Sequence, residues 1–442
     1  MSRQFKTYNP EQIFLLPPSL KEWLPDDHFV YFVSDVVDQL DLSGIMRTYN
    51  RGSSRGQPAY HPAMMVKLLF YAYCVGVPSS RKIEGRIYED IAFRILAAGH
   101  YPDHDTISEF RNRHLGVLSK LFVEVLLLCR KSGLVKLGHV SLDGTKVKAN
   151  ASKHKAMSYG RMCEKEEELE HEVEELLRKA QTVDEEENRS YGKGKRGDVL
   201  PEELRFKESR LKKIREAKEA LEREAKDKAQ GVMNNMDKSN QPVVPGQKDQ
   251  RNFTDPESKI MMDSATKGFV QAYNAQIAVD SKAQVIVAAD VTDEANDKRQ
   301  VEPMLDQIKG NLSDKPKELS ADCGYYSETN VEFLRTESID PLIAPDRRKH
   351  TDQAESSPRG RIPNSMSIKE RMRRKLRTKQ GRERYSLRKE VVEPVFGQVK
   401  QVRGFRAFLL RGLEKVRGEW RLICLTHNLL KLYRSQNLSA AG

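Results

Sequence analysis

The apolar positions in the first third of the chain fall at helical spacing. After Pro25-Asp26-Asp27, whose carboxylates suit a helix cap, Phe29, Val30, Phe32, Val33, Val36, Val37 and Leu40 make one apolar stripe. A second helix is predicted from His61-Pro62, with proline in its first turn, through Met64, Met65, Leu68, Leu69 and Tyr71. Ser79-Ser80-Arg81 caps a third that runs to Leu96. Beyond the break Ala98-Gly99-His100-Tyr101-Pro102, Asp105 to Glu109 reads as the cap and capping box of a short helix bearing Arg111, Arg113 and His114. Residues 1–135 are therefore expected to form an all-helical domain. Two of its helices, separated by a glycine-containing turn with the second one basic, have the layout of a helix-turn-helix. That layout points to DNA, with Arg111 and Arg113 as contacts, although plain packing or dimerisation uses the same pattern.

At Leu137–Leu142 the period becomes that of a strand, which delivers Asp143-Gly144-Thr145-Lys146 at its end. Residues 155–249 break the pattern. Their Glu- and Lys-rich stretches predict two long solvated helices, an antiparallel hairpin joined by Ser190–Gly197, then a polar linker over Asn234–Asn252. Sheet character returns in Phe269–Val279 and Gln284–Val291 around the turn Asp280–Ala283, which predicts an antiparallel hairpin. A helix near Val301–Ile308 follows. Next come a short strand, Glu318–Ala321, ending at Asp322-Cys-Gly-Tyr-Tyr326, a helix over Glu328–Leu334 and a strand over Pro341–Ala344. From Arg361 to Lys389, twelve Lys or Arg residues face two Glu, and this tract leads into a helix with Glu393. Proline belongs in a first turn, so Pro394 places Glu393 at or just before that helix start, or at a kink. A last helix spans Gly412–Tyr433, and 435–442 are expected to be a disordered tail. Strand with Asp143, insertion, two-stranded hairpin, helix, strand with Asp322, helix, strand and helix with Glu393 is the order of a ribonuclease H-like α/β fold. Its mixed sheet flanked by helices takes residues 136–154 and 250–434, and 155–249 is a helical insertion with linker.

Composition narrows the partner. A chain of 442 residues has room for two or three domains and a sizeable core. Its formal charge of +12 at pH 7 favours a polyanion, and the basic tract concentrates that charge. No apolar run approaches the roughly 20 residues of a spanning helix, and no signal-type segment follows Met1, so a cytoplasmic protein with no membrane contact is expected. The five cysteines are scattered without a Cys-x-x-Cys pair, which indicates neither a disulfide framework nor a zinc site.

Three carboxylates at one sheet edge suit phosphoryl transfer with two Mg²⁺ ions about 4 Å apart, because hard cations take oxygen ligands. Asp143, Asp322 and Glu393 are the candidate ligands, with Asp143 bridging. Each alone also reads as a turn or solvated helix residue. Glu393 and Lys400, seven apart, share a helix face about 10 Å apart, so Lys400 can meet a phosphate beside the cation, as can Arg388 or Lys389. His139, His154 and His427 lack partners at metal-ligand spacing and read as structural; Tyr325, Tyr326 and Trp420 read as core. The residues alone indicate a metal-dependent nuclease or transferase acting on nucleic acid.

The sequence also resembles the DDE transposases of bacterial insertion sequences, along nearly its whole length. The helical opening has Leu15-Leu-Pro-Pro-Ser-Leu20, Tyr60-His-Pro62 and Ser79-Ser-Arg-Lys-Ile-Glu84. The first aspartate lies in Leu142-Asp143-Gly-Thr-Lys146 with Ala149-Asn-Ala-Ser152, and the second in Asp322-Cys-Gly-Tyr325. Tyr385, Glu393 and Lys400 match the Tyr-Arg-Glu-Lys signature. Its arginine spacing falls on Lys389, with Arg388 one residue early, so both remain candidates for the phosphate contact. The resemblance implies Asp143, Asp322 and Glu393 as catalytic metal ligands, with Tyr385, Arg388, Lys389 and Lys400 on DNA. It also implies binding of terminal inverted repeats, cleavage of the element's double-stranded ends, and joining to target DNA with Mg²⁺ or Mn²⁺. Synapsis implies a homodimer, and the substrate implies association with the nucleoid. A metal-dependent nuclease without strand transfer and an inactive DNA-binding protein on the same scaffold are the alternatives.

Overall fold

A computed structural model describes residues 19–49, 58–191, 202–232, 244–263, 268–347 and 357–440, apart from 359, 361, 362 and 364. The Leu15–Pro18 part of the first motif, most of the link 190–197, the first part of the linker 234–252 and the start of the basic tract lie outside these residues.

Among the described residues a 3₁₀ turn (Leu20–Trp23) is followed by six α-helices: α1 (Phe29–Asp38), α2 (Ser43–Tyr49), α3 (Pro62–Cys74), α4 (Ser80–Glu89), α5 (Ile91–Leu96) and α6 (His104–Lys131). Their caps differ from the sequence expectation. His28, not the Asp pair before it, caps α1 by accepting from the Val30 amide. The expected third helix is two, because Asp90 takes an extended conformation and caps a new start through the Ala92 amide. Asp103 caps α6, and that helix is not short: it runs for 28 residues. α2 has too little periodic sequence to have been predicted.

The central sheet is built from β1 (His139–Lys148), β4 (Lys259–Met262), β5 (Phe269–Asp280), β6 (Val285–Thr292), β7 (Glu318–Ala321) and β8 (Asp340–Ile343); β2 (Ala156–Ser158) and β3 (Gln250–Asn252) pair separately. Across the sheet the order is β6, β5, β1, β7, β8, with β4 beside the first residues of β5. β5 runs antiparallel to β1 and β6, whereas β7 and β8 run parallel to β1. The parallel strands need crossovers, supplied by α9 (Val301–Leu312) and α10 (Glu328–Thr336). β1 is longer than predicted, so Asp143 lies mid-strand.

Between β2 and β3 stand α7 (Tyr159–Tyr191) and α8 (Glu202–Val232). They are antiparallel: Glu166 meets Arg215 at 3.1 Å and Lys218 at 2.7 Å, and Glu172 meets Lys207 at 3.3 Å. Such exposed pairs contribute little, so the apolar seam of Met162, Leu169, Leu211, Ile214 and Leu221 holds the hairpin.

The chain closes with α11 (Ile368–Arg377), α12 (Lys379–Gly397), a π-helical turn (Gln398–Val402) and α13 (Leu413–Ala440). α13 extends past Ser435, so no tail starts there; its apolar face packs on α3, α6 and β6, with Trp420 and Leu425 fully buried. The N-terminal helices and the sheet thereby share one hydrophobic core. Of the two expected placements of Pro394, the helix start is overturned. The proline lies inside α12, which begins fourteen residues before Glu393 at Lys379. Proline lacks the amide that would bond the Glu390 carbonyl, and the Gln284 side chain donates to that carbonyl instead, at 2.9 Å.

Candidate active site

Register brings the two aspartates together. The parallel β1–β7 ladder ends with Leu142 opposite Ala321, and Asp143 and Asp322 are the next residue on each strand. β1 continues beyond that point against β5, while the other chain turns into a 3₁₀ turn at Cys323–Tyr325. Asp322 caps that turn, its Oδ1 accepting from the Gly324 amide at 2.8 Å. Asp143 Oδ1 accepts from the Gly144 amide at 2.9 Å, and its Oδ2 accepts from Arg388 at 3.0 Å. Burial pushes the Asp143 carboxyl up to about 6; Arg388 opposes the rise, while the charges of Asp322 and Asp297 add to it. The pair offers carboxylate oxygens, the donors a hard divalent cation takes, with Asp143 also bonded to Arg388.

Helix α12 lies across β1 and, with the π turn after it, carries the signature residues. Arg388 is held to Asp143 and stacks over Tyr385, its guanidinium carbon 6.0 Å from the ring centroid. Burial disfavours the Arg388 cation, but Asp143, Tyr385 and Asp322 outweigh it and the net shift is upward. Lys389, next to it, is exposed. Lys400 returns to β1, donating to the Thr145 hydroxyl and, at 2.8 Å, to the Lys146 carbonyl; burial lowers its pKa. Glu393 lies between these anchors and is exposed. Among the described residues, no three acidic, histidine or cysteine side chains converge closely enough to hold a metal ion, so Glu393 is not drawn onto the aspartate pair.

A groove of about 710 Å³ opens beside Asp322, lined by Arg347, Arg373, Arg382, Tyr385, Arg388 and Lys389 among others. Asp346, on its wall, is occupied by Lys369 at 3.0 Å and Arg373 at 2.6 Å.

Other candidates settle elsewhere. Arg111 is not a DNA contact: it is buried, and its guanidinium donates to the Pro78 carbonyl at 2.7 Å and to the Tyr73 hydroxyl at 3.3 Å. Arg113 is exposed beside Tyr49. His139 and His427 are buried in structural hydrogen bonds, His139 to Ser320 and His427 to Gln398 and the Gln284 carbonyl. Tyr325 and Trp420 are core residues; Tyr326 is only partly buried.

The sequence reading missed Asp297. Its Oδ1 accepts from Asn274 at 2.6 Å and Gln276 at 2.8 Å, and Lys146 Nζ stands 3.9 Å away while donating to the Ala295 carbonyl. The signal that could have exposed it is the glycine in each aspartate motif. A Cβ on Gly144 would lie 3.0 Å from Asp297 Oδ1, and one on Gly324 would lie 3.3 Å from Asp297 Oδ2.

Two family models match stretches of the chain on either side of Asp143. Residues 18–113 match the family described as Transposase domain (DUF772), and residues 236–429, which hold Asp322 and all of α12, match the family described as Transposase DDE domain. The chain thus carries a DDE-type transposase domain. It is a DNA transposase, an enzyme acting on DNA, and DDE domains use divalent metal ions. No curated protein and no solved structure matches the chain. No helix among the described residues is long and apolar enough to cross a membrane.

Proposed function

We propose that this transposase recognises the terminal inverted repeats of a bacterial insertion sequence, cleaves the DNA ends and joins them to target DNA. The observation that carries the reading is the side-by-side placement of Asp143 and Asp322 at the end of the β1–β7 ladder, with a basic groove opening on Asp322. The strand order supports a ribonuclease H-like sheet, and Tyr385, Arg388 and Lys400, gathered on β1 by α12 and its π turn, support the subgroup with the Tyr-Arg-Glu-Lys signature.

Asp143 and Asp322 would hold two Mg²⁺ ions, or Mn²⁺, with Glu393 added from the exposed side of α12. Such ions would supply activation of the attacking water or 3′-hydroxyl and charge stabilisation of the leaving oxygen. The chain's own groups position the DNA. Lys389, Arg382 and Arg347 line the groove where backbone phosphates lie, and Arg388 supplies the arginine of the signature, since its side chain reaches the site while Lys389 faces outward. Arg113 offers an exposed cation on the N-terminal helices. Two chains pair during synapsis of the two ends, on DNA of the bacterial nucleoid.

The test uses a plasmid carrying the gene's native flanking DNA, incubated with purified protein, Mg²⁺ and a second plasmid. Joined products are expected, and Asp322→Asn should abolish them together with cleavage. Nicks without joined products would indicate a nuclease lacking strand transfer, and undiminished cleavage by Asp322→Asn would remove the metal-site assignment.

A further inference from the structure

Beyond the end of the β1–β7 ladder, no strand pairing holds Asp322. Its position depends on the 3₁₀ turn that it caps, and that turn is strapped down from one direction. Tyr325, fully buried, donates its hydroxyl to Gln276 Oε1; Gln276 Nε2 donates to Asp297 Oδ1. Gln276 is paired with Gly144 on the neighbouring strand, so the strap is tied to the residue after Asp143. A second tie is parallel to it: Asn330 donates both to the Tyr325 carbonyl, at 2.8 Å, and to the Lys298 carbonyl next to Asp297, at 2.7 Å.

Asp297 occupies the cap position of its own 3₁₀ turn, Lys298–Gln300, yet its side chain makes no capping bond there. An aspartate at that position ordinarily satisfies its own helix end. Here the carboxylate reaches instead between the two aspartate motifs, against Gly144 on one side and Gly324 on the other, in space that a Cβ at either glycine would crowd. Gln276 Nε2, closer still to a Cβ at Gly144, and Asp322 Oδ1, 3.0 Å from one at Gly324, crowd those positions further, and Asp297 also faces Lys146.

We propose that Asp297 is a positioning residue of the cation site: it fixes the spacing of Asp143 and Asp322 through Gln276 and Tyr325, and adds its charge beside the pair. This rests on the reading of Asp143 and Asp322 as the cation ligands. Partners that orient metal ligands typically govern affinity by about ten- to a hundredfold, and that is the scale expected here.

The test titrates Mn²⁺ into the full-length protein without DNA, following free Mn²⁺ by electron paramagnetic resonance, with thermal melting in parallel. Asp297→Asn keeps an oxygen for Asn274 and Gln276 but removes the charge; Tyr325→Phe keeps the charge and cuts the strap. Both should weaken Mn²⁺ binding, Asp297→Asn by about tenfold or more, with little change in melting. Wild-type affinity in Asp297→Asn overturns the proposal. Should that variant melt below the assay temperature, Tyr325→Phe decides, and undiminished affinity there overturns it. Asp143→Asn is the control: if it too binds Mn²⁺ like the wild type, the cation site itself is misassigned and both readings fall.

Discussion

Arg388 donates to Asp143 across 3.0 Å, with both side chains largely shielded from solvent. The guanidinium therefore stands where a cation held by Asp143 must approach, and the two compete. At pH 8, where Asp143 is ionised, Arg388→Ala should tighten Mn²⁺ binding in the absence of DNA by about tenfold, the equivalent of about 1.4 kcal/mol released by not breaking the pair. The same variant should cleave DNA more slowly. Unchanged Mn²⁺ affinity would show that arginine and cation occupy separate faces of the carboxylate.

The Asp143 carboxyl, pushed up to about 6 chiefly by burial, sets a pH dependence. A proton and a cation exclude each other there, so Mn²⁺ affinity should be flat above about pH 7 and fall as pH drops through 6, approaching tenfold per unit below it. Stability has the opposite sign. A carboxyl with a raised folded pKa binds protons more readily folded than unfolded, so its contribution declines as pH rises from about 4 through 6. Urea unfolding without metal should show wild type losing ground to Asp143→Asn across that window.

Glu393 is exposed and joins no metal-holding cluster among the described residues, so its substitution separates chemistry from stability. Glu393→Gln should melt like the wild type and lose cleavage by about a hundredfold or more, the scale of several kcal/mol of lost charge stabilisation. Cleavage within a factor of a few of wild type would place the third ligand elsewhere.

Lys400 is anchored to Thr145 and the Lys146 carbonyl, so its cation is fixed on the same strand as Asp143. Lys400→Ala should weaken duplex binding and reduce the slope of log affinity against log salt by about 0.9, one phosphate contact. A lowered melting temperature with an unchanged slope would make it a strut between α12 and β1.

Arg111→Gln gives the contrary pattern. Removing a buried guanidinium from the Pro78 carbonyl should cost about 1–3 kcal/mol in urea unfolding, while the salt dependence of DNA binding stays as it was. The equivalent change at exposed Arg113 should leave stability alone.

What the sequence discloses depends on how local the cause is. β5, β6 and β7 follow from apolar runs bounded by turns, and Asp143 and Asp322 from their motifs, because each signal lies within a dozen residues. Ile107, Arg111, His114 and Leu118 share the spacing of one helix face, which puts Arg111 on the buried stripe of α6 despite its basic side chain. Pro394 is different. A helix tolerates it because Gln284, from a hairpin turn more than a hundred residues earlier, satisfies the Glu390 carbonyl, and no local pattern carries that information. Asp297 was hidden among the acidic residues after β6 because its role depends on a three-dimensional junction with Gly144 and Gly324.

The common core of the N-terminal helices and the sheet makes the molecule a gauge without a joint. α13 is its spine, in contact with α3 and α6 on one side and β6 on the other. Any side chain presented on the outer surface of those helices is therefore held at a set distance from Asp143.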